Sequence, residues 1–294
     1  MKKKTEQFKR VGLVANTGKP ECRAIVKKAA KLIGESGRKV SADEDTARFA
    51  KLDVPTLPAL KRLARNVDLL IVIGGDGTFL GIAREVAGSS TPLIGVNAGR
   101  LGFLTTVPAN RLADALHMIW AGQLRSETRP LIEVSRESRG KTASTLAMND
   151  FVVARGEGSR LIELDVSVNG EELTTYRCDG LIISSPTGST AYSLAAGGAI
   201  VSPNAEVFAL TPICPHTLSN RSVILNLNSE IEITARTQNP QTHLSADGIL
   251  LSQLCCGESA IIRRSRKSVR LLHLEGDSFF RTLRTKLHWT GAHG

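Results

Sequence analysis

The sequence has few aromatic residues and no long hydrophobic segment. Two Tyr, two Trp and eight Phe are scattered along the chain, so only 4% of it is aromatic. Proteins that bind single-stranded nucleic acid stack the bases on rows of aromatic side chains, and none are visible here. No stretch approaches the ~20 apolar residues of a membrane-spanning helix, and the charged residues near the start are not followed by an apolar run of the length that a signal peptide has, about 7–15 residues. We expect a soluble, cytoplasmic protein that binds neither nucleic acid nor membrane.

Cysteine and histidine patterns typical of metal sites or disulfide frameworks are also missing. The five cysteines form an odd number without a CxxC pair, and the six histidines lack metal-ligand spacing. We therefore expect no protein-held metal and no disulfides, as in a reducing cytoplasm. Positive charge is in excess, with 38 Lys+Arg against 28 Asp+Glu. The densest basic runs, residues 2–4 and 263–267, are interpreted as solvated surfaces, with attraction of a polyanionic small ligand as the alternative.

The pattern of apolar residues differs between the first and second parts of the 294-residue sequence, which predicts two domains. Residues 1–125 alternate short apolar runs with helical patterns, which is typical of a Rossmann-like α/β domain with a doubly wound parallel sheet. Residues 126–274 contain β-branched runs separated by Asn-Gly and Asp-Gly turns, which predicts a β-rich, sandwich-like domain. A helix within residues 275–294 is expected to pack back on the first domain. The first domain is predicted to contain strands at residues 11–15, 68–73 and 93–96, and helices at residues 21–34, 58–65 and 79–86.

The sharpest local motif is GGDGT at residues 74–78, between a predicted buried strand and a predicted helix. Glycines let the backbone approach a ligand closely, and the amides at the start of a helix bind anions. Phosphate is therefore the expected ligand. Asp76 is unusual among such amides because a carboxylate repels phosphate unless it binds a metal, accepts a proton or hydrogen-bonds a hydroxyl. The alternative is a tight turn in which Asp76 caps the helix.

A second glycine cluster, GVNAGRLGF at residues 95–103, follows the next predicted strand. It should therefore lie at the same carboxyl edge of the sheet, where ligands of open α/β folds bind. Asn97 can hydrogen-bond a sugar or phosphate, and Arg100 can neutralise phosphate charge. The alternative is an ordinary glycine-rich loop whose Leu101 and Phe103 plug the domain interface.

A third cluster, residues 179–198, brings an apolar strand to a hydroxyl-rich Pro-Thr-Gly turn. The turn is predicted to open a helix of small residues. Backbone amides, several hydroxyls and the face of Tyr192 would then meet at one point, which suits a nucleotide. The alternative is a well-capped helix in which Ser189 or Thr190 is simply the N-cap.

Six segments resemble the NAD kinases, which phosphorylate NAD to NADP; in chain order they are GGDGT, GVNAGRLGFL, AMND, DGLIISSPTGSTAYSLAAGG, PICPHTLSNR and SADG. GGDG alone is shared with diacylglycerol, sphingosine and phosphofructo-kinases, whereas GSTAYSLAAGG and the order of all six are specific. The resemblance implies a two-domain enzyme with its active site between the domains. It also implies NAD+ and ATP as substrates, Mg²⁺ or another divalent cation bound with ATP, and a homodimer or homotetramer.

The resemblance also implies roles for individual residues. Asp76 is expected to act as base toward the 2′-hydroxyl of the adenosine ribose, and Asp179 to meet the nicotinamide amide. The residues expected to contact the phosphoryl donor are Gly74, Gly75, Gly77, Thr78 and Asn97. The residues expected to contact NAD are Asp76, Gly77, Asn149, Asp150, Arg160, Arg177, Asp179, Thr187, Thr190, Ala191, Tyr192 and Ser193. Asp150 stands where the family usually has glutamate.

Two other functions stay open at this point. A lipid or sugar kinase can be built on the same GGDGT loop, but the hydroxyl-rich residues 187–193 do not suit an acyl-chain groove. A catalytically silent nucleotide-binding regulator, attached to nucleic acid through the Lys/Arg runs, is the alternative from another class. The intact Asp76 argues against it.

Overall fold

The structure of the protein is a computed structural model that describes residues 8–138, 141–156, 160–216, 221–238 and 242–289. The described residues form two compact units, one within Met1–Thr128 and Ser268–Gly294 and the other within Arg129–Lys267. The basic run at residues 2–4, residues 157–159 just before Arg160, and residues 217–220 of the PICPHTLSNR segment lie outside the described residues. Among the described helices, none has both the length and the apolar character needed to cross a membrane.

The first unit is built on a parallel β-sheet. Its strands are β1 (Arg10–Ala15), β2 (Lys39–Asp43), β3 (Thr56–Leu57), β4 (Leu69–Gly74), β5 (Leu93–Asn97) and β6 (Val107–Pro108). Five of them lie side by side in the order β5-β4-β1-β2-β3, all parallel. Every residue of β4 is buried, as the apolar run predicted for a central strand. After β1 the chain continues toward one edge of the sheet, where β2 and β3 lie. After β4 it continues toward the opposite edge, where β5 lies.

Helices connect these strands: α1 (Pro20–Glu35), α2 (Glu44–Ala50), α3 (Leu60–Asn66), α4 (Asp76–Glu85) and α5 (Leu112–Ala121). α1 begins with proline, whose fixed φ suits the first helical turn. The buried residues of α1 recur at helical spacing and form its core face: Cys22, Val26, Ala29 and Ile33. The helix predicted at residues 79–86 in fact starts at Asp76, because the GGDGT segment itself forms the first turn.

The second unit consists of strands joined mainly by turns: β7 (Leu124–Ser138), β8 (Lys141–Ala147), β9 (Asp150–Arg155), β10 (Ile162–Val168), β11 (Glu171–Cys178), β12 (Gly180–Ser184), β13 (Val207–Ile213), β14 (Val223–Asn226), β15 (Ile231–Ala235), β16 (Thr242–Ala246), β17 (Ile249–Leu254) and β18 (Ser259–Leu274). One antiparallel sheet has the order β14-β13-β12-β9-β16-β17. The other contains β11, β10, β15 and β18, with β7 and β8 beside them. The chain passes between the units within β7 and β18.

Alternate residues of both sheets share one apolar core in the second unit. Phe151 and Val153 of β9 belong to the same buried cluster as Leu164 of β10 and Ile233 of β15. This period of two is the pattern of a sheet with one covered face, so the predicted sandwich-like domain is confirmed. The Asn169-Gly170 turn has positive φ at both residues, which is the hairpin turn that this dipeptide predicts.

The chain ends in the first unit. The last residues of β18 pair with β5, at Leu271 and Leu93. The following helix, α7 (Phe279–Leu287), contacts the loop after β5, because the ring centroids of Phe279 and Phe103 are 6.3 Å apart. Leu283 is the buried residue of this helix.

Candidate active site

The GGDGT loop lies at the topological switch point of the parallel sheet. It follows β4, and β4 is the neighbour of β1, where the direction of winding changes. Open α/β sheets bind their ligands at such a point, beyond the carboxyl ends of the strands. The loops after these two strands are in contact, since Asn16 Nδ2 donates to Thr78 Oγ1 at 2.9 Å.

The Asp76 carboxylate is held by the loop that follows β5. Its Oδ2 accepts a hydrogen bond from the Phe103 amide at 2.7 Å. Its Oδ1 accepts from the amides of Leu104 and Thr105 at 3.2 and 3.0 Å, and from the Thr105 hydroxyl at 2.9 Å. Each carboxylate oxygen has about two acceptor sites, so Oδ1 is saturated and Oδ2 keeps one free. No side chain caps α4, whose N-cap is Gly75, so the reading of Asp76 as a helix cap is wrong.

Asn97 and Gly102 shape this loop. Asn97 is buried, its Nδ2 donates to Thr105 Oγ1 at 2.8 Å, and its Oδ1 accepts from the Gly99 amide at 2.7 Å. Gly102 leaves no room for a side chain, because a Cβ there would lie 1.9 Å from Asp76 Oδ1. The sequence analysis predicted Asp76 and Asn97 but missed Thr105, which joins them. Its position directly after GRLGFL is the only signal for it.

The three glycines of the motif differ in their surroundings. A Cβ on Gly74 would lie 2.8 Å from Thr78 Oγ1, so this glycine is required by packing. A Cβ on Gly75 or Gly77 would meet nothing within 4 Å. The backbone of these two residues therefore faces open space at the start of α4, where helix amides favour an anion.

In the second unit, Asp247 holds the segment that contains Asn149 and Asp150. Its carboxylate accepts hydrogen bonds from the amides of Met148, Asn149 and Asp150 at 3.0, 2.8 and 3.1 Å. Asp247 has φ 44° in the turn between β16 and β17. The quoted SADG segment contained this residue, but the sequence analysis gave it no role.

The Pro-Thr-Gly turn packs against the same segment. The Ser185 amide donates to Asn149 O at 2.8 Å, and a Cβ on Gly188 would lie 2.3 Å from that oxygen. Thr187 is buried, and its hydroxyl accepts from Arg129 Nη1 at 3.1 Å. The structure therefore brings the predicted Asn149 and Thr187 regions together.

The helix predicted after this turn is much shorter than expected. A 3-10 turn, Gly188–Thr190, is followed by the single-turn helix α6 (Tyr192–Ala195). The hydroxyls of Ser189 and Thr190 donate to carbonyls of the preceding turn at 2.8 and 3.3 Å, and neither helix has a side-chain cap, so the capping alternative is wrong. Tyr192 is 47% exposed, so part of its ring is open to solvent.

Asp150 is a buried acid whose surroundings favour its neutral form. Its side chain is 3% exposed. Burial, and secondly the negative charge of Asp247, raise the pKa of Asp150 to about 7. A carboxyl group in this environment can be neutral near physiological pH.

Among the described residues, three other predicted NAD contacts, Asp179, Arg177 and Arg160, are not part of the hydrogen-bonded segment around Asn149. The Asp179 carboxylate is paired with Arg155, whose Nε lies 2.7 Å from Oδ1, and Arg155 was missed by the sequence analysis. Arg177 is exposed and lies 4.0 Å from Glu163. Arg160 is exposed as well. In the described part of the chain, no hydrogen bond or ion pair connects these two arginines to Asn149.

Two family models match the chain. The ATP-NAD kinase N-terminal domain matches residues 11–124, and the ATP-NAD kinase C-terminal domain matches residues 148–274. The chain is also similar to the NAD kinase of Ralstonia nicotianae, with 42% identity over 287 residues that cover 97% of this chain and 94% of that protein.

Two solved structures have a similar fold. The crystal structure of yeast NADH kinase complexed with NADH has a TM-score of 0.88 and 26% identity, covering 98% of this chain and 90% of that one. An NAD kinase from Archaeoglobus fulgidus in complex with ATP has a TM-score of 0.74 and 25% identity, covering 96% of this chain and 100% of that one.

Proposed function

The chain belongs to the NAD kinase family and has its phosphotransferase activity, and from this premise we propose that Asp76 is the base of the reaction. The acceptor is the 2′-hydroxyl of the adenosine ribose of NAD+, and the donor is ATP. The products are NADP+ and ADP. The family assignment sets aside the lipid kinase, sugar kinase and silent-regulator alternatives.

The free acceptor site of Asp76 Oδ2 carries this proposal. As the ribose oxygen bonds to the γ-phosphorus, the bond from phosphorus to the ADP oxygen breaks, and the hydroxyl proton moves to Oδ2. Oδ1 cannot take this role because three donors already occupy it. These donors fix the carboxylate, which meets the main demand of phosphoryl transfer, namely positioning.

The phosphoryl donor is proposed to lie against Gly75 and Gly77. Their open backbone and the first turn of α4 offer amides to phosphate oxygens. Arg100, exposed in the loop after β5, supplies positive charge from the neighbouring strand end. Asn97 is proposed to act through Thr105, because both polar ends of its side chain are already bonded within the loop.

NAD+ is proposed to bind residues of the second unit. The segment held by Asp247 presents Asn149 and Asp150 beside the Pro-Thr-Gly turn. Asp179, fixed by Arg155, is the proposed acceptor for the nicotinamide amide. The exposed Tyr192 offers an aromatic face. The other proposed NAD contacts are Arg160, Arg177, Thr187, Thr190, Ala191 and Ser193.

The described residues do not fit a divalent cation held by the protein itself. Among them, no group of three or more His, Cys, Asp or Glu side chains is arranged to bind a metal. Asp76, the carboxylate of the GGDGT loop, is engaged by four hydrogen bonds. We therefore assign Mg²⁺ to the phosphates of ATP, where it usually resides with water ligands.

The protein is also proposed to form a homodimer or homotetramer and to reside in a reducing compartment. Ile249 and Leu250, on the edge strand β17, are 53% and 59% exposed, which supports contact with another subunit. The five cysteines are free, which supports a reducing cytoplasm.

The reaction is tested by NADP+ formation from NAD+ and ATP with Mg²⁺, detected with an NADP-specific dehydrogenase. The expected result is NADP+ that depends on ATP. Polyphosphate replaces ATP in a second arm, and a lipid or sugar acceptor replaces NAD+ in a third. Absence of NADP+ with both donors would contradict the proposal.

A further inference from the structure

A cavity of about 510 Å³ lies within the first unit, at the amino edge of the parallel sheet. Arg10 and Asp68, at the starts of β1 and β4, line it together with Arg270 of β18. The GGDGT loop is at the opposite end of β4, about 20 Å away at ~3.3 Å per residue. The cavity is therefore separate from the proposed donor site.

The cavity has an excess of positive charge. Arg10 and Asp68 neutralise each other, with Nη2 and Nε of the arginine 2.6 and 3.2 Å from Oδ1. Arg65 and Arg270 also line the cavity, and both are exposed. Within the described ranges, neither of these two has a carboxylate partner. Two guanidinium groups thus remain without a compensating negative charge.

Arg65 lies in the last turn of α3, where an arginine can donate to the free carbonyls of the helix end. Two carbonyls there do not need it. At this helix end the buried Thr91 hydroxyl donates to Ala64 O, and Val67 O lies 3.3 Å from the same hydroxyl as a second, longer acceptor. The carbonyl of Arg62 accepts from the Asn66 side chain at 2.8 Å. Since Arg62 O and Ala64 O already have other side-chain donors, they do not require the Arg65 guanidinium, which is available to a ligand.

The loop after α4 adds hydroxyl groups to the same cavity. Ser89 and Ser90 line it. The Ser89 oxygen accepts from the Thr91 amide at 3.2 Å, which leaves its hydrogen free to donate. Guanidinium forks and hydroxyl donors together match the oxygens of a phosphate group.

We propose that this cavity binds a phosphorylated small molecule, with its phosphate between Arg65 and Arg270 and with Ser89 and Ser90 as further donors. The cavity volume lies within the roughly 300–1,000 Å³ of small-molecule sites, so the ligand extends beyond the phosphate. This site lies outside the proposed catalytic chemistry, and its test needs no kinase activity.

The test is isothermal titration calorimetry at low ionic strength with ribose 5-phosphate as probe. Ribose, inorganic phosphate and malate are titrated separately, because they isolate the sugar, the phosphate and the dianionic charge. Ribose 5-phosphate is expected to bind more tightly than malate, and ribose not to bind. Arg65→Ala and Arg270→Ala are each expected to weaken binding tenfold or more. Arg62→Ala removes an exposed arginine of the same helix that does not line the cavity, and should leave binding unchanged.

A further variant, Ser90→Glu, tests the same cavity without removing an arginine, in case the arginine variants fail to fold. Ser90→Glu changes an exposed residue and places a negative charge in the cavity, so it should abolish binding while Tm is retained. Equal isotherms for the wild type, Arg65→Ala and Arg270→Ala would overturn the proposal, because any binding would then occur elsewhere. Malate binding as tight as that of ribose 5-phosphate would overturn the assignment to phosphate.

Discussion

Replacing Gly102 with alanine is expected to displace the carboxylate of Asp76, the proposed base. The added Cβ would lie 1.9 Å from Asp76 Oδ1 and 2.6 Å from Thr105 Oγ1, whereas real Cβ atoms almost never come within 3.0 Å of another heavy atom. The carboxylate or the loop must therefore move by roughly 1 Å, and a shift of that size can lower the rate about 100-fold. Losing a hydrogen bond at Oδ1 also costs about 1–3 kcal/mol of stability.

The assay is steady-state NADP+ formation, with Tm measured on the same samples. Gly102→Ala should lower kcat about 100-fold with little change in the KM for NAD+, because the predicted NAD contacts of the second unit are untouched. Gly99→Ala is the matched control. It lies in the same loop and a Cβ there meets nothing within 4 Å, so its kcat should stay close to that of the wild type.

Equal kcat values for the two variants would refute this reasoning, because the steric clash at Gly102 would then have no effect on the proposed role of Asp76. A rise in KM at unchanged kcat would refute it as well. That result would show that the loop serves binding of NAD+ and not the position of Asp76.

Two further predictions concern other parts of the structure. Because the pKa of Asp150 is raised from 3.8 to about 7, the folded state keeps a proton that the unfolded chain loses above about pH 4. The free energy of unfolding should therefore fall as pH rises between these values, and Asp150→Asn should flatten this slope in urea titrations; an unchanged slope would contradict it. Phe279→Ala removes the ring packed against Phe103, whose amide holds Asp76 Oδ2, so kcat should fall roughly tenfold. Trp289→Ala, at a 53% exposed position after the end of α7, is the control, and equal losses would count against a positioning role.

The central elements of the fold could be predicted from the sequence because their patterns are local. The buried run of β4 and the helical spacing of α1 are visible without any tertiary information. The basic residues 263–267, interpreted as a solvated surface, lie within the long strand β18, whose ends are set by pairing with neighbouring strands and not by a local pattern. β2 and α2 were missed for a similar reason, as both are short and carry several polar residues.

The site was predicted less completely than the fold. Asp76 was found from its motif, but the amides of Phe103, Leu104 and Thr105 have no side-chain signal, and only the structure shows that they hold it. The prediction of a helix capped near Ser189 was wrong, since the Ser189 hydroxyl donates to a carbonyl of the preceding turn and does not cap a helix. Asp247 acts across the fold on a segment almost 100 residues earlier, and such a contact leaves no local pattern.

The most direct test of the account compares Asp76→Asn with the wild type in two measurements, kcat for NADP+ formation and the Kd for NAD+ by calorimetry. Asparagine keeps the shape but directs an NH₂ group at one backbone donor, so Tm should fall by a few degrees. If Asp76 is the base, kcat is expected to fall by about 10²–10⁴, while the Kd for NAD+ changes little. Near-normal turnover in the variant would contradict the assignment of Asp76 as the base.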